Sequence, residues 1–522
     1  MAFSLVLSVS VLFFVSAVYL YCKIIRPSLS PPRLPPAPPG WPVIGHLHLL
    51  SGMPHHALAE LAASMRAPLL RLQLGSVRAV VISKPELARA ALTTNDAALA
   101  SRPRLLSGEF LSFGCSDVTF GPAGPYHRMA RRVVVSELLS PRRVATYGAA
   151  RAAELRRLLA RLARSASASP AAAPPVVDLS ECFLQLANDV LCRVAFGRRF
   201  PHGGGGKLGA VLAEAQDLFA GFTVGDFFPE LEPFASTVTG LRRRLRTCLA
   251  NLREVCDEII DEHVAGKRRR IAGDHDEDFV DVLLRVQKSP DLEVPLTDDN
   301  VKALVLDMFV AGTDTSFATL EWVMTELVRH PRVLKKAQEE VRRVAGAKGG
   351  VEESDLGELR YMRAVIKETF RLHPAVPLLV PRESVAPCRL GGYDIPAKTR
   401  VFINTFAMGR DPEVWEKPLE FSPERFESGG GEIDIKDPDF RVLPFGGGRR
   451  GCPGYAFALA TVQVTLASLL YHFDWELPAG VRAEDVNLDE VFGLATRKKE
   501  PLVVVVRKNE KYEFKGEELN EV

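Results

Sequence analysis

The feature that most constrains this sequence is a stretch of residues that has the pattern of one long, buried helix. It begins after Thr297, a helix-capping residue followed by two acids, and it ends at His330-Pro331. At about 1.5 Å per residue, a helix of roughly thirty residues spans roughly 45 Å, enough to cross a whole domain. Its centre, residues 305–311, is apolar on every face except at Asp307. Such a helix needs other elements packed around it, and the amphipathic stretches elsewhere in the chain predict a mainly helical domain.

Polar residues interrupt the buried centre of this helix at Ala311-Gly312-Thr313-Asp314-Thr315-Ser316. They cost stability because glycine loses backbone entropy and buried polar groups need partners. In one interpretation the helix opens at Gly312 around a small ligand, and Asp314 and Thr315 relay protons into that space. In the other, the segment is a kinked core helix whose hydroxyls bond to its own backbone. The helix alone leaves both interpretations open.

A second motif is Phe445-Gly446-Gly447-Gly448-Arg449-Arg450-Gly451-Cys452-Pro453-Gly454, which precedes an apolar helix over 455–470. Glycines let a backbone pass close to a flat group and turn several N–H groups toward one atom. Cys452 stands before a helix N-terminus and near Arg449 and Arg450, where a thiolate is favoured. Such a thiolate is a suitable ligand for haem iron. The alternative is a structural cysteine in a Gly-rich loop, whereas the GxxxxGK[ST] pattern of a phosphate loop is missing.

A third motif pairs Glu368 with Arg371, three residues apart on a predicted helix. An exposed pair of this kind has a net worth of roughly 0–1 kcal/mol. If the pair is buried and joined by Arg425 of Phe421-Ser422-Pro423-Glu424-Arg425-Phe426, it becomes a network that fixes the cysteine loop.

The N-terminal part of the chain has the composition of a membrane segment. Residues 1–22 carry no charge, and their number just suffices to cross the hydrocarbon core. Basic residues follow the apolar run instead of preceding it, which disfavours a cleaved signal peptide and places the rest of the chain in the cytosol. We therefore predict a transmembrane anchor over 1–22, a stiff Pro-rich hinge over 23–44, a catalytic domain over 45–507 and a charged tail over 508–522.

Charge and cysteine usage exclude other classes of protein. A net charge of +2 gives no indication of a nucleic-acid partner. The eight cysteines include no CxxC pair, which argues against a zinc site or a disulfide framework and is typical of a reducing compartment.

Together and in this order, these motifs resemble the cytochrome P-450 superfamily over essentially the whole chain. The resemblance implies a mainly α helical prism with a small β-region, haem b as the cofactor and Cys452 as the axial ligand. It also implies that Ala311, Gly312, Asp314 and Thr315 border the oxygen site and deliver protons, and that Glu368, Arg371 and Arg425 form a structural triad. The remaining haem contacts that it implies are Phe445, Gly446, Arg131, His127, Arg382 and Arg450. His127 stands where the family usually has Trp, and it either donates a hydrogen bond to a propionate or faces solvent.

Within the superfamily the anchor, the hinge and the AGTDTS helix resemble plant microsomal enzymes. That resemblance implies an endoplasmic reticulum membrane with the catalytic domain on the cytosolic face. It also implies electrons from a separate NADPH–cytochrome P-450 reductase, because the sequence has no GxGxxG or flavin domain. Short stretches at 52–56, 113–117, 219–222 and 512–518 are similar to members that act on a tryptamine-like amine, so the resemblance implies a small aromatic amine as the substrate.

A cationic amine in an apolar pocket requires a carboxylate, a carbonyl or the loss of its proton. The candidate carboxylates are Asp117, Glu230, Glu232, Asp307 and Glu383. The candidate apolar wall residues are Phe110, Phe113, Phe222, Phe309, Val376 and Leu378. Each of these residues also has an ordinary role as a cap, a surface charge or a core side chain.

The alternatives are a hydroxylase of another plant metabolite (a phenylpropanoid, flavonoid or terpenoid), a haem-thiolate isomerase or dehydratase that uses no dioxygen, and a haem carrier or sensor. The intact Asp314-Thr315 pair favours an oxygenase, because the other haem proteins have little use for a proton relay.

Overall fold

The structure is a computed structural model that describes residues 33–50, 52–168, 175–200, 207–220, 223–266, 277–346, 348–427 and 439–514. The predicted membrane anchor, the first part of the hinge, Phe222 and the tail from residue 515 lie outside these ranges.

Helices form most of the described chain, as the sequence predicts. They are α1 (Pro54–Ser64), α2 (Pro85–Leu92), α3 (Leu106–Leu111), α4 (Pro125–Val133), α5 (Pro141–Thr146), α6 (Gly148–Ala168), α7 (Leu179–Phe196), α8 (Lys207–Ala220), α9 (Val224–Phe227), α10 (Glu232–Val238), α11 (Leu241–Val264), α12 (Phe279–Gln287), α13 (Asp298–Arg329), α14 (Pro331–Ala345), α15 (Arg360–Leu372), α16 (Thr405–Gly409) and α17 (Tyr455–His472).

The strands are short and lie at the margins of the helical body. They are β1 (Leu69–Leu74), β2 (Val77–Ile82), β3 (Val176–Asp178), β4 (Arg382–Glu383), β5 (Cys388–Leu390), β6 (Tyr393–Ile395), β7 (Arg400–Ile403), β8 (Phe473–Glu476), β9 (Glu490–Val491), β10 (Arg497–Lys498) and β11 (Val503–Lys508). The largest sheet has the order β1-β2-β7-β4, and the others are β3-β11-β8, β5-β6 and β9-β10. β1 and β2 pair antiparallel and form a hairpin that turns at Gly75-Ser76.

Helix α13 crosses the core as predicted and is capped by Thr297, whose hydroxyl accepts from the Asn300 N–H at 3.2 Å. The helix is continuous over all 32 residues and has no break at Gly312, where one of the two interpretations placed an opening. A Cβ at Gly312 would lie 2.9 Å from Leu191 Cδ1 on α7. Gly312 therefore allows α13 and α7 to pack closely. Within the described residues α13 and α17 are long and apolar enough to span a membrane, but both are mainly buried in the protein and are core helices.

The pair Glu368 and Arg371 on α15 is fully buried, and the predicted network with Arg425 is present. Arg371 Nε and Nη2 donate to the two Glu368 oxygens at 2.7 Å each, and Arg425 Nε donates to Glu368 Oε1 at 3.1 Å. Next on the helix, Phe370 packs edge to face on Phe445 of the cysteine loop, with ring centroids 5.6 Å apart. The network thus fixes the helix on which the cysteine loop rests.

We expect Glu368→Gln to lower the free energy of unfolding by about 3–5 kcal/mol, because it leaves a buried guanidinium without its carboxylate. Denaturant unfolding followed by far-UV circular dichroism measures the change. The matched control is Glu420→Gln, which breaks an exposed pair with Lys417 and should cost about 1 kcal/mol or less. Equal losses in the two variants would contradict a structural role for the buried network.

Candidate functional site

A cavity of about 240 Å³ lies between α13 and the cysteine loop. Ala311, Gly312 and Thr315 form part of its wall on one side, and Gly446 and Cys452 form part of it on the other. Phe445, next to Gly446, also lines it. The two motifs that the sequence places far apart therefore face each other across one space.

Cys452 is held at the base of this cavity by the backbone of its own loop. Its N–H donates to the Phe445 carbonyl at 2.8 Å, and the Gly454 N–H donates to its sulfur. Burial nevertheless raises the pKa of the Cys452 thiol to about 11, more than the Gly454 bond and nearby Arg131 lower it. The hydrogen bond from Gly454 and the charge of Arg131 thus act in the expected direction, but burial outweighs them. Arg449 is largely exposed and lies beside Asp96, so it does not stabilise a thiolate at Cys452. A metal ion that binds the sulfur therefore displaces the thiol proton.

Four guanidinium groups line the cavity within the described part of the chain, and three of them were predicted to bind propionates. The four residues are Arg102, Arg131, Arg382 and Arg450. Burial lowers the pKa of each of them, and mutual repulsion lowers it further for Arg102 and Arg450. Arg382 is paired with the Asp96 carboxylate at 2.8 Å, whereas the others donate to backbone carbonyls. Of these four arginines Arg382 alone is paired with a carboxylate, so the other three are available to an anionic ligand.

Arg102 was missed by the sequence reasoning. It follows Ser101 and precedes Pro103, and its Nε donates to Thr119 O at 2.8 Å while Nη1 donates to Val380 O at 2.5 Å. The available signal was an arginine beside a proline shortly before an apolar helix, which is too common a pattern to mark a site.

His127 lies behind Arg450 and is 6 % exposed, so the expectation that it faces solvent is wrong. Its Nε2 is 2.5 Å from Arg450 Nη1. Burial and the Arg450 charge lower the pKa of His127 to about 3, so its ring is neutral and Nε2 can accept from the guanidinium. In this arrangement His127 orients Arg450, which itself lines the cavity.

The two polar residues on α13 differ in position. The Thr315 hydroxyl borders the cavity and donates to Ala311 O at 2.8 Å. Asp314 points toward α8, where Gln216 Nε2 donates to its Oδ1 at 2.7 Å. Burial raises the pKa of Asp314 to about 6, so this carboxyl group can gain and lose a proton near neutral pH.

Two of the candidate amine-binding carboxylates, Asp117 and Asp307, lie on the cavity wall. Asp307 accepts from the N–H groups of Val118 and Thr119 at 3.0 and 3.2 Å, and Asp117 accepts from Phe120 N–H at 2.8 Å. Burial raises the pKa of both carboxyl groups, and the Asp307 charge raises that of Asp117 further. A cation beside the two carboxylates would relieve this repulsion.

The other three candidate carboxylates lie away from the cavity. Glu232 pairs with Arg242 at 3.0 Å, Glu383 pairs with Lys398 at 3.0 Å, and Glu230 accepts from a hydroxyl at the β1–β2 turn.

Of the predicted apolar wall residues, Val376 lines the cavity. Phe309 instead stacks on Phe196 with centroids 5.8 Å apart, and Arg253 lies 5.0 Å over the ring of Phe113. Leu378 packs beneath the large sheet, and Phe110 packs against the helical core. Apolar residues that do line the cavity are Leu111, Phe120, Phe219, Leu306, Leu379 and Leu494.

Comparisons with known proteins agree with this architecture. The family model described as cytochrome P-450 matches residues 35–505. Tryptamine 5-hydroxylase of Oryza sativa subsp. japonica is 82% identical over 513 residues, which cover 97% of both chains. Cytochrome P-450 71AP13 of Prunus mume is 47% identical over 95% of both chains. A zebrafish cytochrome P-450 whose structure was solved with progesterone has a TM-score of 0.70 at 25% identity, covering 87% of this chain and 100% of that one.

We expect Cys452→Ser to abolish the strongly red-shifted Soret band of the ferrous carbonyl complex, because a hydroxyl cannot supply the electron density of a thiolate. The band is measured in the difference between the spectrum of the reduced carbonyl complex and that of the reduced protein. Cys388→Ser is the control, since Cys388 lies on β5, away from the cavity, and that variant should keep the band. Survival of the band in Cys452→Ser would assign the axial ligand to another residue.

Proposed function

This chain belongs to the cytochrome P-450 family, and within that family we propose that it hydroxylates tryptamine at carbon 5 to give serotonin. It is a haem-thiolate monooxygenase that acts on a small molecule with electrons from a redox partner. The observation that supports the substrate is 82% identity to rice tryptamine 5-hydroxylase over 97% of both chains. Haem, when bound, supplies the activation of dioxygen. The residues of this chain bind the haem, orient the substrate and deliver protons.

The residues around the cavity fit haem in charge and in ligand chemistry. In this proposal Cys452 would supply the thiolate that binds the haem iron, and Gly446 and Phe445 would lie beside the haem. The propionates bind to Arg102, Arg131, Arg382 and Arg450, whose guanidinium groups are suited to carboxylate oxygens. His127 contributes through its hydrogen bond with Arg450.

The ammonium group of tryptamine binds at Asp117 and Asp307. Within the described residues these two carboxylates border a cavity whose other walls, apart from the arginines, are mostly apolar. Leu111, Phe120 and Val376 would then pack on the indole ring. An alkylammonium ion placed beside the two carboxylates keeps its charge without water, which an apolar wall alone would not allow.

Proton delivery is assigned to Asp314 and Thr315. Asp314 has a pKa of about 6 and holds a proton part of the time near neutral pH. The Thr315 hydroxyl borders the cavity one residue further along α13 and can pass a proton into it after rotating from Ala311 O. In the proposed relay Asp314 collects the proton and Thr315 donates it, and water would have to link the two, because Asp314 bonds to Gln216 and Thr315 bonds to Ala311 O.

We further propose that the redox partner is NADPH–cytochrome P-450 reductase and that the chain is anchored in the endoplasmic reticulum membrane by residues 1–22, with the catalytic domain in the cytosol. Exposed apolar side chains support attachment near the hinge: Trp41 and Val43 are 62% and 82% exposed, and Phe234 is 73% exposed. The end of the hinge and the end of α9 both contact the β1–β2 turn: Gly75 N–H donates to Ile44 O, and Ser76 N–H donates to Phe227 O. An apolar rim at this end suits the surface of a bilayer.

The substrate assignment is tested with the holoenzyme, reconstituted with NADPH–cytochrome P-450 reductase and tryptamine, with serotonin identified by mass spectrometry. Wild type should form serotonin, and a failure to form serotonin would contradict the proposed function.

We expect Asp307→Asn to weaken tryptamine binding by roughly tenfold, since a charged hydrogen bond is worth about 1.5–3 kcal/mol.

The uncharged analogue N-acetyltryptamine distinguishes charge recognition from a structural effect of Asp307. Substrate-induced spectral shifts should show that Asp307→Asn weakens tryptamine binding more than binding of the analogue. Glu383→Gln, which lies off the cavity, is the matched control and should leave both affinities unchanged. Equal weakening of both ligands in Asp307→Asn would mean that this residue only holds the 118–119 loop.

We expect Thr315→Ala to keep haem content and substrate binding near wild type while it lowers serotonin formed per NADPH consumed. The lost acid catalyst should reduce product formation by roughly 10²-fold, or less if water substitutes, with reducing equivalents released as hydrogen peroxide. The control is Thr325→Ala on the same helix, whose hydroxyl also bonds to the backbone, at Glu321 O, but lies off the cavity. A wild-type ratio in Thr315→Ala would return Thr315 to a purely structural role.

A further inference from the structure

A cluster of two imidazoles and one carboxylate lies outside the haem cavity, where α1 meets β9. His55 and His56 occupy the first turn of α1, and Glu490 lies more than four hundred residues later on β9. His55 Nε2 is 2.8 Å from Glu490 Oε2, and His56 Nε2 is 2.9 Å from the same oxygen. One ligand atom from each residue lies within 4.8 Å of the other two.

We propose that His55, His56 and Glu490 form a binding site for a divalent transition-metal ion of the zinc type. Imidazole nitrogen and carboxylate oxygen are the ligands that Zn²⁺ takes at about 2.0–2.2 Å. The Nε2–Oε2 distances of 2.8 and 2.9 Å are roughly half an ångström shorter than the distance between two tetrahedral ligands at these bond lengths, so a small rearrangement of the side chains admits the ion. Hard cations such as Mg²⁺ prefer oxygen alone, so two nitrogens select a softer ion.

The burial of the three side chains suits an ion that enters from one side. The His55 side chain is 0% exposed and that of Glu490 is 7% exposed, whereas that of His56 is 43% exposed. Two ligands are therefore held inside the protein and the third lies at the entrance. Water can complete the coordination on the exposed side.

Aromatic packing orients both imidazole rings before any ion arrives. The His56 ring stacks on Phe406 with centroids 4.2 Å apart, and the His55 ring meets the same phenyl group edge-on at 4.9 Å. Phe492 stacks near His55 at 6.2 Å. Ligands that are already oriented lose less entropy on binding.

Metal binding requires a change of tautomer at His55. Its Nε2 now hydrogen-bonds to Glu490, so the ring proton must move to Nδ1 when Nε2 binds an ion. Nδ1 is buried and has no hydrogen-bond partner among the described residues, which costs part of the binding free energy. Arg410 lies nearby and opposes a cation, which limits the affinity.

An ion at this site would join α1 to the hairpin of β9 and β10. The turn of that hairpin carries Leu494, which lines the cavity. The Thr496 N–H, on the same turn, donates to Ala375 O at 2.8 Å, and Ala375 also lines the cavity. The site would therefore clamp a wall segment of the substrate space from outside.

The test titrates Zn²⁺ into the haem-loaded, full-length protein with any affinity tag removed, followed by calorimetry and thermal denaturation. Wild type should bind one equivalent and gain thermal stability through ligand linkage. His56→Arg keeps a hydrogen-bond donor for Glu490 but removes a ligand, and it should weaken binding by roughly tenfold or more and lose the thermal gain. Zinc X-ray absorption spectra of the wild-type complex should show two imidazole ligands.

The matched control is His48→Arg, the same substitution at a histidine near α1 that does not belong to the cluster. It should bind Zn²⁺ like wild type. The proposal is overturned if wild type binds no Zn²⁺ at sub-millimolar concentration, if His56→Arg binds as tightly as wild type, or if the spectra lack imidazole scattering. None of these readouts depends on tryptamine turnover, so they are independent of the proposed function.

Discussion

Burial of guanidinium charge around one cavity is the constraint on which the rest of the structure depends. Removing a charged group from water is costly unless an opposite charge compensates it. Asp96 compensates part of that charge: its carboxylate accepts from Arg382 at 2.8 Å and from the Arg449 N–H at 2.9 Å. The second contact explains one glycine of the cysteine loop, because Gly448 has φ +62° and a Cβ there would lie 2.4 Å from Asp96 Oδ1. Arg102, Arg131 and Arg450 donate to backbone carbonyls and not to Asp96, so they are available to an anionic cofactor, and the fold and haem binding support each other.

Helix α13 satisfies its buried polar residues in two ways at once. Thr313, Thr315 and Thr319 each donate to the carbonyl four residues earlier, at 2.7–2.9 Å. The sequence offered back-bonded hydroxyls and a ligand site as alternatives, and the helix combines them, since Thr315 is back-bonded and also borders the cavity. Because the Thr315 hydroxyl bonds to its own helix backbone, it is not left without a hydrogen-bond partner beside the apolar part of the cavity. A rotation about χ1 frees it to donate elsewhere.

The sequence predicts what depends on local pattern and misses what depends on distant packing. The hairpin of β1 and β2 and the bounds of α13 follow from periodicity and capping residues, and the cysteine loop follows from its glycines. The wall residues of α13 do not follow from periodicity in this way: Phe309 faces Phe196, although its neighbours Met308 and Val310 both line the cavity.

Arg102 and His127 could not be predicted in the same way. Arg102 lines the cavity because its guanidinium bonds to carbonyls at 119 and 380, and nothing in the local sequence indicates that pairing. His127 is held by Arg450, which is more than three hundred residues away in sequence.

The position of Asp314 off the cavity wall is a further consequence of packing. Helix α8 connects the Asp314 carboxyl group with the cavity wall. Gln216 on that helix binds Asp314, and its neighbours Ala215 and Phe219 line the cavity. Phe219 stacks on Phe120 with centroids 5.1 Å apart and planes within 6°. Helix α8 thus contacts both the cavity and the carboxyl group of Asp314, whose pKa is about 6.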